Sequence, residues 1–240
     1  MWYVRANMVE AYETTTPPSK RPGERRLVSV LFADMVGYTP TCERLGEEKA
    51  ADFTRMIYDT LTSVAQAHGG AVRGFAGDSI LAIFGIPDAL EDAGLRACRA
   101  AMAVHAAFDE AADEIEQQFD TRPVMRVGVS SGSVVVAAVE GEGAEMTAVG
   151  NTVNLAARIQ TLAPEGGSLI CDTTRRLVEW LVDLSFDAEH KVKGISKPQK
   201  LWRLQAIRES ATRFDASRAR GLSKYVGRDD EFSQLSRALE

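Results

Sequence analysis

This sequence is short of cysteine, of long apolar runs and of positive charge, and each shortage excludes a class of protein. Its three cysteines, Cys42, Cys98 and Cys171, are odd in number and far apart. That pattern fits neither a disulfide framework nor a zinc motif, and it indicates a reducing compartment. No run reaches 18 apolar residues, so no membrane-spanning helix is expected. The first residues lack the basic-then-apolar order of a signal peptide, so we expect a cytoplasmic protein with no membrane partner.

The charge balance argues against a nucleic-acid partner. Asp and Glu number 34 against 28 Lys and Arg, which gives a net charge of −6. A general basic surface for nucleic acid is therefore not expected. Hydrophobic residues make up 45% of the 240 positions, enough for one sizeable core with extensions. An acidic protein of this kind needs metal ions or a few well-placed basic side chains to bind a polyphosphate.

Composition divides the chain into three parts. Residues 1–24 are poorly patterned and include the turn-prone run Thr14–Gly23, which predicts an arm or linker. Residues 25–207 carry regular apolar patterns and form the predicted main domain. Residues 208–240 read as a linker followed by the start of a further unit, which stops before it could build a core.

The main domain alternates strand and helix patterns. The predicted strands are Leu27–Ala33, Ala71–Phe75, Ser79–Phe84, Val124–Val129, Val134–Val139, Ser168–Cys171, Leu181–Phe186 and Leu201–Leu204, and the predicted helices are Glu47–His68, Glu91–Phe119, Asn151–Gln160 and Asp172–Val178. A turn is predicted at Ser131-Gly132-Ser133. The β-α-β-β-α-β order predicts an α+β fold, a ferredoxin-like antiparallel sheet with helices on one face.

Two acids stand at strand ends. Asp34 follows the first strand, and Asp78 sits at the predicted tip of the hairpin between the second and third strands. Each alone is a common turn residue. If the first strand lies beside the hairpin, however, the two carboxylates meet at one edge and repel unless cations lie between them. Such a pair predicts two-metal phosphoryl chemistry on a nucleotide. Asn154 and Arg158 share one helix face, either as an exposed polar pair or with the guanidinium directed at phosphate.

Four linked motifs resemble the class III nucleotidyl cyclases, the catalytic domains of adenylyl and guanylyl cyclases. The motifs are Phe32-Ala-Asp-Met-Val-Gly-Tyr-Thr39, Gly77-Asp-Ser-Ile-Leu-Ala-Ile-Phe-Gly85, Arg126-Val-Gly-Val-Ser-Ser-Gly132 and Val149-Gly-Asn-Thr-Val-Asn-Leu-Ala-Ala-Arg158. The match runs in order from about Arg25 to Leu204. The resemblance implies a phosphorus–oxygen lyase that converts ATP to cyclic AMP and pyrophosphate in intracellular signalling, by attack of the 3′-hydroxyl on the α-phosphorus.

The resemblance also implies roles for individual residues. Asp34 and Asp78, with the carbonyl of Met35, would bind two Mg²⁺ or Mn²⁺ ions. The other implied roles are phosphate binding by Gly37, Tyr38, Thr39 and Lys193, ribose positioning by Asn154, and stabilisation of charge on the α-phosphate by Arg158. In this family the site lies between two subunits in a head-to-tail dimer. One copy of the chain would supply the aspartates, and a second copy would supply Asn154, Arg158 and Lys193.

The base-recognition positions depart from the family pattern. Gly74 stands where adenylyl cyclases carry an adenine-reading lysine, and Thr147 stands at its partner position, often Asp. Arg73 would point to the opposite face of a regular strand. Ser133 stands where some relatives carry a phosphate-binding arginine. These departures predict weak base discrimination or modest activity, and they leave the choice between ATP and GTP open.

Two alternatives compete with an active cyclase. Tyr225-Val-Gly-Arg-Asp-Asp-Glu231 resembles the opening of an ATPase module that follows cyclase domains in some signalling proteins. The chain would then be a catalytically weak or inactive nucleotide-binding module that regulates a downstream ATPase, as Gly74 and Ser133 favour. The second alternative is a polymerase-like palm, which also uses two acids to bind metal ions, but this sequence shows no basic groove for nucleic acid.

Overall fold

One mixed sheet organises the domain. The computed structural model describes residues 24–76, 78–138, 146–149, 151–193, 195, 197–208, 234 and 236–237. Its strands are β1 (Glu24–Met35), β2 (Ala71–Ala76), β3 (Ser79–Phe84), β4 (Met125–Ala138), β5 (Met146–Val149), β6 (Ser168–Cys171), β7 (Val182–His190) and β8 (Gln199–Ile207). The strand order is β2-β3-β1-β4-β6-β8-β7, with β5 paired to β4. The pairings are antiparallel except between β4 and β6, which are parallel.

Among the elements bounded in the described part of the chain, six helices cover the sheet. They are α1 (Tyr38–Leu45), α2 (Glu47–Ala67), α3 (Ala93–Glu110), α4 (Ala112–Phe119), α5 (Asn151–Leu162) and α6 (Asp172–Val178). Within the described ranges, no helix is long and apolar enough to cross a membrane.

The core has two sides because side chains alternate along the strands. On the first face, Leu31 and Ala33 of β1 pack with Phe53 and Ile57 of α2 and with the buried side of α3. On the second face, Val28 and Val30 of β1 pack with α5. The α+β fold is confirmed, and the structure adds a helix on the second face that the prediction of one-sided helices did not include.

The predicted turn at Ser131-Gly132-Ser133 is wrong. β4 runs unbroken through these residues and pairs with β1 over twelve positions, from Glu24–Val136 to Met35–Met125. The small residues serve packing instead. A Cβ at Gly132 would lie 2.4 Å from Oγ1 of Thr152 on α5, and Ser131 Oγ bonds Ser29 Oγ at 2.7 Å. Turn propensity is therefore overridden by sheet pairing and by the close approach of α5.

Other predicted elements are found with adjusted bounds. The predicted helix over 91–119 is divided at Ala111 into α3 and α4. The hairpin of β2 and β3 is present as predicted, as are β6 and α6. Residues 1–23 of the expected arm and most of the segment 208–240 lie outside the described residues, while Glu24 is the first residue of β1.

Candidate active site

Two buried carboxylates meet where β1 ends. Asp34 is the penultimate residue of β1, and Asp78 lies in the turn between β2 and β3. Antiparallel pairing of β1 with β3, in which Ala33 opposes Ile80, brings that turn beside the end of β1. The two side chains are 6% and 7% exposed and lie within hydrogen-bonding reach of each other. The two acids predicted to share one edge of the sheet are therefore neighbours.

The electrostatics of this pair favour a bound cation. Burial raises the pKa of Asp78 to about 8, and the hydrogen bond and negative charge of Asp34 act in the same direction. The N–H of Met35 donates to Oδ2 of Asp78 at 3.2 Å and partly offsets the rise in pKa. Two buried like charges are costly unless one is protonated or a positive charge is shared between them. A divalent cation would supply that charge.

The donor atoms fit a hard cation. No cluster of three or more His, Cys, Asp and Glu side chains suited to a metal occurs in the described part of the chain. Asp34 and Asp78 would therefore be completed by backbone carbonyls, such as that of Met35 at the same strand end, by water and by phosphate oxygens. An all-oxygen set with few carboxylates suits Mg²⁺ or Mn²⁺, whereas zinc favours thiolate and imidazole ligands.

Helix α1 begins directly after this strand end. Gly37 adopts the left-handed conformation with φ of 69° and caps α1 without a side-chain hydrogen bond. The N–H groups of Tyr38 and Thr39 lie in the first turn, where no intrahelical acceptor exists. The Tyr38 hydroxyl bonds Oγ1 of Thr54 at 2.6 Å, which fixes the start of α1 against α2. Three of the four predicted phosphate-binding residues thus form a helix N-terminus that follows the end of β1 and is suited to an anion.

The second group of predicted residues lies on the outer side of α5. The buried side chains of this helix include Thr152, Ala156 and Gln160, which face the sheet. At 100° per residue, Asn154 and Arg158 fall on the opposite side, and both are half-buried. They point away from the sheet and from the Asp34 carboxylate of the same chain.

Lys193 belongs to this second group. Nη1 of Arg158 donates a hydrogen bond to the backbone carbonyl of Lys193, whose side chain is exposed. The predicted site residues thus fall into two separate groups in the structure. We call the group of Asp34, Met35, Asp78 and residues 37–39 the acidic half-site, and the group of Asn154, Arg158 and Lys193 the basic half-site.

The two positions expected to recognise the base lie on paired strands. Gly74 pairs with Leu81 in β2–β3, and Thr147 pairs with Ala137 in β5–β4. The register shifts between Val72 and Gly74, so Arg73 occupies a bulge. A bulge breaks the two-residue alternation of side chains. The regular strand on which the expected direction of Arg73 depended is therefore not present at this position.

Sequence reasoning missed one residue that contacts the acidic half-site. Nε2 of Gln160 donates to Oδ2 of Asp34 at 3.1 Å, and both side chains are buried. The available signal was a polar residue on the apolar face of a predicted amphipathic helix. Its partner, 126 positions away, could not be read from that pattern.

Comparisons with known proteins agree on one family. Residues 22–206 match the family described as the adenylate and guanylate cyclase catalytic domain. "Putative adenylate cyclase 3" of Rhizobium meliloti is 32% identical over 188 residues, which cover 77% of this chain and 29% of that protein. "Adenylate cyclase 1" of the same organism is 29% identical over 62% of this chain and 23% of its own length. The chain thus spans less than a third of these relatives.

Solved structures share the fold. The guanylyl cyclase Cya2 superposes with a TM-score of 0.74 at 27% identity, covering 80% of this chain and 98% of that structure. The adenylyl cyclase CyaB from P. aeruginosa also gives a TM-score of 0.74, at 23% identity, covering 80% of this chain and all of its own. The neighbours therefore include domains named for each of the two nucleotides.

Proposed function

The chain belongs to the family of adenylate and guanylate cyclase catalytic domains, and from this premise we propose that it converts ATP to cyclic AMP and pyrophosphate at sites shared between two copies of itself. The reaction joins the 3′-oxygen to the α-phosphorus and breaks the bond from that phosphorus to the pyrophosphate oxygen. Relatives named as adenylate cyclases support ATP as the substrate. The proposed setting is intracellular signalling in the cytoplasm.

The observation that carries this proposal is the meeting of Asp34 and Asp78. Both side chains are buried, and the pKa of Asp78 is raised to about 8. Asp34, Asp78 and the Met35 carbonyl would hold two Mg²⁺ or Mn²⁺ ions. When bound, these ions would make the 3′-hydroxyl more acidic and neutralise charge on the departing pyrophosphate.

The start of α1 would hold the β- and γ-phosphates. The left-handed Gly37 caps α1, which begins three residues after Met35, the last residue of the strand that carries Asp34. Residues Gly37, Tyr38 and Thr39 would donate their backbone N–H groups to phosphate oxygens. Because the donors are backbone atoms on a packed helix, they would need little reorganisation during the reaction.

The separation of the two half-sites supports a dimer. Asn154 and Arg158 point away from the sheet of their own chain, so they are suited to a nucleotide bound at the acidic half-site of a partner. There Asn154 would orient the ribose, Arg158 would stabilise negative charge on the α-phosphate, and Lys193 would bind phosphate. Two copies related by a twofold axis would form two equivalent sites.

Base recognition is proposed to be loose. Gly74 offers no side chain to a purine, and Thr147 offers a hydroxyl that can both donate and accept. The register shift between Val72 and Gly74 interrupts the regular alternation of side chains at Arg73. Gly74 and Thr147 therefore offer no fixed donor or acceptor that distinguishes adenine from guanine, so both nucleotides should be accepted to some degree.

Incubation of the chain with ATP and Mn²⁺, followed by detection of cyclic AMP, tests the activity. Product should appear, should vanish with excess EDTA, and should be absent from Asp34→Ala and Arg158→Ala chains. Metal-dependent ATP binding without product would instead indicate a regulatory module.

Mixing inactive chains tests the shared site. Equal amounts of Asp34→Ala and Arg158→Ala chains should recover about a quarter of wild-type activity, because half of the randomly formed dimers hold one intact site of two. The matched control mixes Asp34→Ala with Asp78→Ala, both of which damage the acidic half-site, and should recover nothing. Equal recovery in both mixtures, or none in either, would contradict the shared site.

A further inference from the structure

A buried hydrogen bond joins α5 to the acidic half-site. Nε2 of Gln160 donates to Oδ2 of Asp34 at 3.1 Å, and the Gln160 side chain is only 4% exposed. We infer that Gln160 is a positioning residue that orients the Asp34 carboxylate toward the cations. This inference rests on the proposed function, because it assigns Gln160 a role in the same site.

The chemistry of an amide donor suits this role. Gln160 occupies one lone pair of Oδ2 and so fixes the rotation of the Asp34 carboxylate. Because the amide is neutral, Asp34 keeps its full negative charge for a cation. A lysine or arginine in the same place would form an ion pair with Asp34 and compete with the metal. Hydrogen bonds of this kind, from outside the ligand set, change metal affinity or activity by about 10- to 100-fold when removed.

Packing fixes the position of Gln160. A Cβ placed on Gly128 of β4 would lie 2.3 Å from the backbone nitrogen of Gln160 and 2.5 Å from the carbonyl oxygen of Ala156. The backbone of α5 therefore rests directly on β4 at this point, with no side chain between them. Since Asp34 opposes Arg126 across β1–β4, two residues from Gly128, the helix and the carboxylate are fixed against the same stretch of strand.

One helix thus serves two half-sites. Gln160 faces the acidic half-site of its own chain, while Arg158, two residues earlier, faces outward in the basic half-site. In the proposed dimer, Gln160 would act on the site built from its own Asp34, and Arg158 would act on the other site. Replacement of Gln160 should therefore change metal binding at the site that contains Asp34 of the same chain, and not at the site that receives Arg158 of that chain.

The first test is a Gln160→Met chain, which keeps length and loses the donor. Bound Mn²⁺ is measured by electron paramagnetic resonance with 3′-deoxy-ATP, which lacks the attacking hydroxyl. The Mn²⁺ concentration for half-saturation should rise about 10- to 100-fold. Gln118→Met, the same change at an exposed position of α4, should leave it unaltered.

A second variant keeps the test decisive if the Met chain folds poorly. Gln160→Lys restores a donor and can pair with Asp34, so it should fold, yet its charge should raise the Mn²⁺ requirement at least as much as Met does. A requirement equal to the wild type in the Lys chain, or in a folded Met chain, would overturn the inference.

The placement of Gln160→Met in a mixed dimer separates positioning from general damage to α5. The Arg158→Ala chain supplies Asp34 to the intact site of the mixed dimer. When Gln160→Met is added to this chain, the Mn²⁺ concentration that the mixture needs for half-saturation should rise. When it is added to the Asp34→Ala chain, that concentration should not rise. Equal effects in both placements would overturn the inference. If the wild-type chain itself fails to bind 3′-deoxy-ATP with Mn²⁺, the proposed function is wrong and the role of Gln160 is wrong with it.

Discussion

The backbone N–H of Met35 donates to Oδ2 of Asp78 at 3.2 Å, across 43 positions of the chain. This bond ties the turn between β2 and β3 to the end of β1. It helps to hold Asp78 beside Asp34, so backbone pairing and this hydrogen bond together bring the two acids to one edge of the sheet. The cost is a buried carboxyl group with a raised pKa next to a second carboxylate.

Replacement of Asp78 by Asn separates the effect of the buried carboxyl pair on stability from its proposed role in metal binding. The amide oxygen of Asn can still accept the Met35 N–H, while the negative charge is lost. We expect the metal-free Asp78→Asn chain to melt at the same or a higher temperature than the wild type. Its Mn²⁺-dependent cyclic AMP formation should fall at least about 100-fold, since a metal ligand contributes several kcal/mol to the transition state. An active Asn variant would exclude Asp78 as a ligand.

Two glycines of β4 should respond very differently to alanine. At Gly128 the new Cβ would meet backbone atoms of Gln160 and Ala156, which cannot move without shifting α5. The free energy of unfolding should fall by about 1–3 kcal/mol or more.

The matched control is Gly132→Ala. There the contact under 3 Å is with the side-chain oxygen of Thr152, which can change rotamer, so the loss should stay below about 1 kcal/mol. Urea denaturation of both variants measures the difference. Equal losses would mean that α5 does not rest on β4 as described.

His105 predicts a pH dependence of stability. Its Nε2 lies 2.9 Å from the Ser168 hydroxyl, and burial lowers its pKa, although the charge of Asp109 acts in the opposite direction. As the pH falls below about 6.5, the unfolded chain gains the proton before the folded one does. Stability should therefore be lost between that pH and the lowered pKa of the folded state, at no more than about 1.4 kcal/mol per pH unit.

The difference between wild type and His105→Gln isolates this contribution. Urea denaturation at pH 7.5 and 5.5 should show a smaller loss of stability for the Gln variant, because it cannot take up the proton. His68→Gln, at the end of α2, controls for loss of a histidine. A Gln variant that loses as much stability as the wild type would contradict the assignment.

Substrate choice should be weak in the wild type. The ratio of kcat/KM for ATP over GTP should stay below about 100, because one unmade hydrogen bond to a purine is worth about 1–3 kcal/mol. Introducing Gly74→Lys with Thr147→Asp should raise the ratio, since lysine donates to the adenine N1 acceptor and is repelled by the guanine N1–H donor. A wild-type ratio above about 10⁴ would show that other residues read the base.

Most helices and strands could be predicted because the residue patterns that indicate them lie within short stretches of the sequence. The apolar strand before Asp34, the helix before His68 and the hairpin around Asp78 each carry their periodicity and turn residues within a short window. The pairing of Asp34 with Asp78 could be inferred because the order of elements restricts how a hairpin lies beside the first strand.

Two expectations fail for different reasons. Ser131-Gly132-Ser133 has turn composition, but these small residues admit α5 and bond Ser29, contacts with distant segments that no local window contains. At Arg73 a regular strand was expected, and the register of the β2–β3 hairpin shifts there. A shift of this kind depends on how the two strands pair, and residue type alone does not indicate it.

By itself, the sequence determined which residues can do chemistry and on which elements they stand, because residue type and periodicity are properties of a short stretch. Only the tertiary structure decided that Gln160 meets Asp34, and that Arg158 turns away from it on the same helix. The reason is geometric, since these relationships depend on how closely α5 can approach β4, and that distance is set by packing across the whole sheet.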